Sequence, residues 1–414
     1  MTSDRRPHDE RTAAFVWIWL PGASIPVVCG RLDDDRGRIS YTYASSYLAR
    51  PDAVPIYEPE LRMGRGSLFS ADGNRLPLCI DDAMPDSWGR RLVNHRLGAP
   101  TGEFGELTYL LESGSDRIGA LDFQTSSSEY LAREVDRPTV DDLATAAERI
   151  EEGLSLDPNL EAALLRGTSI GGARPKALLD DGDRKLVAKF SSTTDTYPVV
   201  QGEFVAMELA RRAGMDVARV TLTRAAGRYA LVIERFDRDQ RDCRHRVVSA
   251  LTVLGLSPFP GGRYASYADL ADQIRARFVH ADATLRELFA RISFNILCGN
   301  TDDHGRNHAA FVRANGLLAL TPAYDVCPQG RSGTAAAQAM AFGRDGQRDA
   351  RLGALIDAAS VFHLDRAAAE EVALHQVDTI KEHWDRVCDL AQLTTVEREG
   401  FMGRQFLNPY ALDV

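Results

Sequence analysis

Short β-forming runs fill the first part of this 414-residue chain, and helical periodicity fills the last part. From residue 15 to about residue 125, runs such as FVWIWL and RISYTYASSYL alternate with turn-forming stretches such as DDDRG and ADGN. Beyond Ser249, apolar residues recur every three or four positions, which is typical of amphipathic helices. The sequence therefore predicts an α+β protein with a β-rich N-terminal subdomain and a mainly helical C-terminal lobe.

The middle of the chain has a third pattern. Between Gly167 and Glu234, two pairs of apolar runs flank one helical stretch, which predicts two hairpins around a helix at Gly202–Ala213. The predicted turns are Asp181–Gly182 and Ala226–Gly227. Because the chain also exceeds the size of one ordinary core, we expect three parts, at residues 1–125, 126–248 and 249–414.

Several helices can be placed from their caps and their periodicity. Thr139 and Asp142 form a capping box before one helix, and a second helix begins at Asp86 and ends at Gly98. Four further helices are predicted at Tyr267–Phe278, Leu285–Cys298, Arg366–Leu393 and Thr395–Phe406.

Charge and cysteine content bear on where the protein works. The formal net charge is −10, so the whole chain is not a simple polycation for nucleic acid or an anionic membrane. The six cysteines are scattered without a C-x-x-C pair, which argues against a zinc site and favours a reducing compartment. The stretch MTSDRRPHDERTAA is charged where a secretory signal would be apolar. We therefore expect a cytoplasmic protein without membrane contact.

A polar loop follows the helix predicted at Leu285–Cys298. It reads N-T-D-D-H-G-R-N over residues 300–307 and places Asp302 and Asn307 at the D-x-x-x-x-N spacing of a protein-kinase catalytic loop. Asp325 follows eighteen residues after Asn307, where a second metal-binding carboxylate belongs. Carboxylate and amide oxygens are hard ligands that suit magnesium. Taken alone, the loop fits helix capping about as well as catalysis.

A glycine-bearing segment and a strand lysine predict a phosphate site. The segment S-I-G-G-A-R-P-K at residues 169–176 could bring backbone N–H groups to a phosphate, although a structural turn explains its glycines about as well. Lys189 lies in an apolar strand of a chain that uses arginine for 45 of its 49 basic residues, which favours a functional point charge. Glu203 could pair with Lys189 as in protein kinases, or could favour the helix N-terminus through its charge alone.

The segment V-I-E-R-F-D-R at residues 232–238 leaves a predicted strand and enters the next part of the chain. This is the hinge position of a kinase, where backbone groups could bind adenine. Interleaved aspartates favour a solvated excursion over an anion-binding surface for the basic run that begins here. The arginines of this run are Arg235, Arg238, Arg241, Arg244 and Arg246.

Five motifs, taken in order, resemble those of the HipA family of serine/threonine kinases, the toxin halves of bacterial toxin–antitoxin pairs. They are S-I-G-G-A-R-P-K, V-A-K-F, E-R-F-D-R, N-T-D-D-H-G-R-N and L-T-P-A-Y-D. YTYASSYL, PDAVPI and MPDSWGRRL are similar to the N-terminal subdomain of that family. The resemblance implies a two-lobed protein-kinase-like fold, with residues 126–248 as the nucleotide-binding lobe. One departure is Asp303, which stands where a small residue is common.

The resemblance also implies ATP and magnesium as cofactors and assigns roles to residues of this chain. Asp302 matches the catalytic aspartate, and Asn307 and Asp325 match the metal-binding residues. Ser169 matches a serine that some members autophosphorylate, which would silence the kinase because the added charge repels ATP. The ATP-binding residues implied are Gly171, Gly172, Ala173, Arg174, Pro175, Lys176, Lys189, Glu234, Arg235, Phe236, His304, Asn307, Tyr324 and Asp325.

Partners are implied by the same resemblance. The family's antitoxin is a small helix-turn-helix protein, HipB-like, that binds operator DNA, so contact of this chain with DNA would be indirect. Founding members phosphorylate an aminoacyl-tRNA synthetase, which makes such an enzyme a candidate substrate.

Two other functions stay open at this stage. A catalytically idle ATP-binding subunit could act as a corepressor with a helix-turn-helix antitoxin, although it would have no need of a base such as Asp302. A metal-dependent phosphoester hydrolase could use the Asp and His residues at 302–308, although the sequence lacks a second histidine–carboxylate cluster for a two-metal site.

Overall fold

The chain divides into two compact units in a computed structural model, and neither unit is continuous in sequence. Unit 1 comprises Met1–Asp183 and Asp237–Arg246, and unit 2 comprises Arg184–Phe236 and Val247–Val414. The three-part division expected from the sequence stays a prediction. The described residues are 11–70, 73–99, 104–133, 139–166, 174–182, 184–192, 194–258, 261–331, 333 and 335–413.

Unit 1 is built on an antiparallel sheet of five strands in the order β4-β3-β2-β1-β5. The register shifts between Val16 and Trp17, opposite Gly30, where the close approach of Tyr41 leaves no room for a side chain. The elements of unit 1 are β1 Ala13–Ile18, β2 Val27–Asp35, β3 Arg38–Tyr43, α1 Ser45–Leu48, β4 Ser67–Phe69, α2 Leu78–Asp81, α3 Ser87–Arg96, α4 Glu106–Glu112, β5 Leu121–Gln124, α5 Val140–Glu151, α6 Pro158–Arg166 and β6 Lys176–Asp181.

Two helix caps predicted for unit 1 are confirmed. Asp86 precedes α3 and accepts a hydrogen bond from the backbone N–H of Gly89 at 2.7 Å. Thr139 and Asp142 form the reciprocal capping box at the start of α5. Both helices therefore begin where their side chains satisfy the unpaired N–H groups of the first turn.

Unit 2 combines two small antiparallel sheets with most of the helices. Strands β7, β9 and β8 pair in that order, and β10, β11 and β12 form the other sheet. The predicted turn at Ala226–Gly227 joins β8 to β9, and both residues have the positive φ of a tight hairpin. The elements are β7 Arg184–Phe190, α7 Val199–Arg212, β8 Val220–Ala225, β9 Arg228–Glu234, β10 Val247–Ser249, α8 Ala250–Leu254, a 3-10 helix Gly261–Tyr264, α9 Tyr267–Arg277, α10 Ala281–Cys298, β11 Ala309–Val312, β12 Leu318–Leu320, α11 Leu352–Asp357, a 3-10 helix Ala359–Phe362, α12 Arg366–Leu390 and α13 Thr395–Phe401.

Helix α10 is the centre of the unit 2 core and packs against α9 and α12. Its side chains from Leu288 to Cys298 are almost all buried. The helix begins at Ala281, four residues before the predicted start. The prediction missed this first turn because the turn is exposed and lacks apolar periodicity. Helix α13 ends at Phe401, before the predicted Phe406, whose ring instead packs against Trp384 at 5.0 Å between centroids. No helix among the described residues is both long enough and apolar enough to span a membrane.

The basic run was predicted to be a solvated excursion, and this prediction is wrong. Residues Asp237–Arg246 belong to unit 1, and Arg238 and Arg246 are each 8 % exposed. The Arg238 guanidinium lies 2.8 Å from the Asp116 carboxylate and donates to the Gly119 carbonyl oxygen at 3.0 Å. Arg238 is therefore paired with Asp116 and Asp237 in a buried environment, where a charge must be paired.

Candidate active site

The polar loop begins where α10 ends. Gly299 caps the helix in the left-handed conformation, with φ +71°, and a Cβ at this position would lie 2.8 Å from the carbonyl oxygen of Gln405. Backbone conformation and close approach both require glycine here. The chain therefore leaves a rigid, buried helix at a fixed angle and enters residues 300–308.

A tight turn shapes the loop between Asp302 and Asn307. The backbone N–H of Asn307 donates to the carbonyl oxygen of His304 at 2.8 Å, and its side-chain Nδ2 donates to the carbonyl oxygen of Asp302 at 3.4 Å. Gly305 lies against Leu251, and a Cβ on this glycine would be 2.7 Å from that side chain. Asp302 and His304 are exposed, whereas Asn307 is buried. The predicted catalytic aspartate is therefore accessible to a second molecule.

The residue after Asp302 points to the interior. The Oδ2 atom of Asp303 accepts a hydrogen bond from Nδ2 of Asn295 at 2.7 Å, and it also contacts the Tyr267 hydroxyl and Nε2 of His308, the latter at 2.9 Å. Burial by itself would raise the pKa of Asp303, but His308 and the hydrogen bonds hold it below its ordinary value. The buried, ionised carboxylate of Asp303 thus holds the loop against the core of unit 2.

Lys189, on strand β7, contacts a residue of helix α7 and a residue of the segment that follows β12. Its Nζ atom on β7 lies 2.6 Å from Oε1 of Glu203 on α7 and 2.5 Å from Oδ1 of Asp325. Burial opposes the charge of Lys189, but the two carboxylates outweigh it and raise the pKa of the ammonium above its ordinary value. The pair of Lys189 and Glu203 that the sequence suggested is therefore present, and Asp325 joins it.

Asp325 is held in place by the residues around it. Its backbone has φ +60°, an uncommon conformation for a residue other than glycine. Just before it, the Ala323 N–H donates to the Asp216 carbonyl oxygen at 2.8 Å. The Tyr324 hydroxyl donates to the carbonyl oxygen of Arg306 at 2.6 Å. The segment carrying Asp325 is thus tied directly to the polar loop.

The predicted hinge lies at the end of β9. The N–H groups of Glu234 and Arg235 donate to the carbonyl oxygens of Arg219 and Lys185, each at 2.9 Å. The ring of Phe236 packs on that of Tyr324, with 5.7 Å between centroids. The hinge, the Asp325 segment and the polar loop therefore form one connected set of contacts within unit 2.

Comparison with known proteins identifies the family. Residues 168–388 match the model of the HipA-like C-terminal domain, and residues 19–124 match that of the HipA N-terminal domain. The chain belongs to the HipA family. It is 27 % identical over 337 residues to Y4mE of Sinorhizobium fredii, a provisionally named kinase, covering 76 % of this chain and 77 % of that protein. It is also 27 % identical over 285 residues to the serine/threonine-protein kinase toxin HipA of Shewanella oneidensis, covering 61 % of this chain and 63 % of that protein.

A solved HipA structure has the same fold. It is the Shewanella oneidensis MR-1 HipA in complex with HipB and operator DNA, with a TM-score of 0.66 and 20 % identity over 96 % of this chain and 99 % of that one. The similarity confirms the fold class predicted from the sequence.

Three residues that the HipA resemblance placed at ATP fall in unit 1, and their assignment stays a prediction. Lys176 is buried in unit 1, with its Nζ atom 2.9 Å from Oδ2 of Asp86. Arg174 and Pro175 also belong to unit 1. The remaining glycine-segment residues and the predicted phosphorylation site lie outside the described residues; they are Ser169, Gly171, Gly172 and Ala173.

The donor set of this HipA-family chain fits a magnesium ion through Asn307 and Asp325, which offer an amide oxygen and a carboxylate. The Asn307 side chain uses its nitrogen for the Asp302 carbonyl oxygen, which directs the amide oxygen elsewhere. Among the described residues, no group of three or more His, Cys, Asp and Glu side chains could hold a metal ion.

Sequence reasoning assigned no role in a kinase to Tyr267, Asn295, Asp303 or His308. Asp303 was visible only as a departure from a small residue, and its partners are distant in sequence. The one available signal was a second aspartate directly after the predicted catalytic aspartate, since adjacent loop residues often face opposite sides.

Proposed function

We propose that this chain is an ATP- and magnesium-dependent protein serine/threonine kinase and acts as a HipA-like toxin. The observation that carries the proposal is the contact of Lys189 with both Glu203 and Asp325, beside a loop that exposes Asp302. A strand lysine paired with a helix glutamate is the arrangement that protein kinases use at ATP phosphates. An idle nucleotide-binding subunit would gain nothing from an accessible carboxylate at Asp302.

Each residue has a separate task in this proposal. Lys189 neutralises phosphate charge as a compact cation. Asn307 and Asp325 would hold magnesium, which offsets charge on the triphosphate when it is bound. The hinge at Glu234, Arg235 and Phe236, together with Tyr324 and His304, contacts the nucleotide.

Transfer moves one phosphoryl group from ATP to a hydroxyl. The acceptor oxygen bonds to the γ-phosphorus, the bond from that phosphorus to the β–γ bridging oxygen breaks, and ADP leaves. Asp302 accepts the hydroxyl proton. The products are a phosphoserine or phosphothreonine and ADP.

Family relationships supply the proposed partners. A small helix-turn-helix antitoxin would bind this chain and carry it to operator DNA, as HipB accompanies HipA in the Shewanella complex. The net charge of −10 suits a basic partner of that kind. The proposed substrate is a protein, with an aminoacyl-tRNA synthetase as the first candidate.

The kinase proposal is tested by Asp302→Ala. Radiolabelled ATP and magnesium are incubated with the purified protein, alone and with a bacterial lysate. We expect wild type to label itself or a lysate protein, and the variant to lose transfer by about 10² to 10⁴-fold, the usual contribution of a positioned base. Binding of an ATP analogue should persist in Asp302→Ala and should lose its magnesium dependence in Asp325→Ala. Transfer by Asp302→Ala at the wild-type rate would contradict the assignment.

Autophosphorylation at Ser169, the modification proposed to silence the kinase, is tested on the same samples by intact mass. We expect a gain of about 80 Da, one phosphoryl unit, in wild type and not in Asp302→Ala, and mapping of the group to Ser169. A phosphoryl group found only at another residue would reject Ser169 as the site.

A further inference from the structure

A buried hydrogen-bond network lies directly behind the exposed Asp302. Asp303 is 3 % exposed, and its Oδ2 atom meets donors from Tyr267, Asn295 and His308. Removing a carboxylate from water is costly unless its donors are in place. Charge-assisted hydrogen bonds of this kind are short and directional, so they fix the backbone that carries the carboxylate.

Two of the donors belong to helices α9 and α10, and the third, His308, lies at the end of the loop itself. Tyr267 is the first residue of α9, and its N–H donates to the Ala341 carbonyl oxygen at 2.8 Å. Asn295 lies in the buried part of α10. The His308 carbonyl oxygen accepts from the N–H of Ala250, at the start of α8, at 2.8 Å. Asp303 therefore ties the loop to three parts of the unit 2 core.

The same network reaches the Asp325 segment. The Oδ1 atom of Asn295 accepts from Nδ2 of Asn300 at 3.0 Å, and that nitrogen lies 3.4 Å from the carbonyl oxygen of Asp325. One connected set of side chains thus contacts both the neighbour of Asp302 and the backbone of Asp325.

We propose that Asp303 is a positioning residue for phosphoryl transfer, whose buried carboxylate, held by Tyr267, Asn295 and His308, fixes Asp302 relative to Asp325. The inference rests on the proposed kinase function. It explains why a carboxylate is buried beside the exposed Asp302, where a small residue would avoid the desolvation cost. A displacement of about 1 Å in such a site lowers the rate by about 10²-fold.

Tyr267→Phe is the principal test, because it removes one donor and keeps the ring that packs edge-on against His308 at 5.5 Å. We expect kcat for transfer, measured on the acceptor that wild type labels, to fall about 10-fold or more. The dissociation constant of an ATP analogue with magnesium should change less than about 3-fold, since no nucleotide contact is removed. Asp303→Asn should lower kcat further.

A matched control separates positioning from loss of stability. Gln376→Leu removes a buried hydrogen bond to α10, from Nε2 to the Ala290 carbonyl oxygen at 2.8 Å, away from the loop. It should leave kcat at the wild-type value, and the thermal midpoints of both variants are measured alongside. His308→Gln, which keeps a nitrogen donor, should retain more activity than His308→Ala.

The possible outcomes separate this inference from the kinase proposal. A wild type that transfers phosphate to neither itself nor a lysate protein rejects both. An active wild type with unchanged kcat in Tyr267→Phe rejects only the positioning role. Equal losses of kcat in Tyr267→Phe and Gln376→Leu would also overturn it, because the network would then act through stability alone.

Discussion

At the scale of single residues, Lys189, Glu203 and Asp325 form a charged cluster, and removing the charge of any one of them should change the stability of the fold. Glu203 is 2 % exposed in its side chain and Lys189 is 12 % exposed, whereas Asp325 is 36 % exposed. Two carboxylates lie within 3 Å of one ammonium, so the loss of the ammonium would leave like charges facing each other, one of them buried.

Lys189→Met should therefore lower the free energy of unfolding by about 2 to 3 kcal/mol, somewhat less than for a fully buried pair because water screens Asp325. Adding Glu203→Gln to Lys189→Met should restore more than half of this loss. Urea titration of both variants, compared with Glu203→Gln alone, gives the coupling. A double variant no more stable than Lys189→Met would contradict the buried-charge explanation.

The pH dependence of this cluster follows from the raised pKa of Lys189. The folded pKa lies above the ordinary value of 10.5, so the stabilisation is fully present below that pH and is lost only as pH rises through the folded value. The difference in stability between wild type and Lys189→Met should thus stay constant from about pH 7 to about pH 9.

Residue spacing predicted part of the site and missed another part for a physical reason. Asp302, Asn307 and Asp325 stand at fixed intervals along the chain, and Lys189 stands out in an arginine-rich sequence. Their proposed roles stay predictions, but the suggested contact of Lys189 with Glu203 is present, and Asp325 joins it. The partners of Asp303 are set by tertiary packing of α9 on α10, which leaves no fixed spacing in the sequence.

At the scale of elements, the C-terminal end of helix α10 determines where the polar loop begins. Helix α10 delivers the polar loop through Gly299, and α8 ends at Gly255 with the same φ of +71°. A Cβ at Gly255 would meet no atom within 4 Å, whereas one at Gly299 would collide with the Gln405 backbone. Substitutions at the two glycines therefore separate the free-energy cost of the left-handed conformation from the free-energy cost of the close contact.

Gly255→Ala should cost about 1 kcal/mol of unfolding free energy, the penalty of a left-handed residue with a Cβ. Gly299→Ala should cost at least about 2 kcal/mol more, because the added methyl group displaces backbone. Urea denaturation measured side by side checks both values. Equal losses would show that the contact with Gln405 relaxes at little cost.

Element ends were also the part of the fold that the sequence predicted least well. Caps with their own chemistry, such as Thr139 with Asp142, gave correct starts. Helix α10 starts after His280, which has a left-handed conformation and whose side chain accepts no capping hydrogen bond, so no local signal marked the start. Periodicity locates the buried face of a helix and is silent about its solvent-exposed first turn.

At the scale of the whole molecule, the chain passes from unit 2 into unit 1 at Asp237 and returns at Val247. The basic composition of this segment suggested a surface, because charge runs are usually solvated. Within unit 1, Arg238, Arg244 and Arg246 instead donate to specific acceptors, and Arg244 also lies over the ring of Trp19 at 3.4 Å from the centroid. Composition alone cannot distinguish the two cases, since burial of a charge depends on partners distant in sequence.

Arg238→Met should destabilise unit 1 by about 3 kcal/mol or more, because Asp237 and Asp116 lose their buried cation. The exposed Arg241 offers a control in the same segment, and Arg241→Met should change stability by less than about 0.5 kcal/mol. Proteolysis of unit 1, monitored by mass spectrometry, should accelerate in the first variant only. Similar susceptibility of the two variants would place Arg238 outside the stabilising network.

Unit 1 is built from two separate stretches of the chain, and this limits which related genes can recombine to give a stable protein. A crossover between the two family-model matches, after residue 124 and before residue 168, joins one parent's N-terminal segment to another parent's remainder. The hybrid then builds unit 1 from two parents, because residues Asp237–Arg246 come from the second. Its Arg238 must find a carboxylate equivalent to Asp116, which the first parent encodes. The N-terminal segments are therefore not freely interchangeable, and a stable hybrid requires that its two parents supply matching partners for this ion pair.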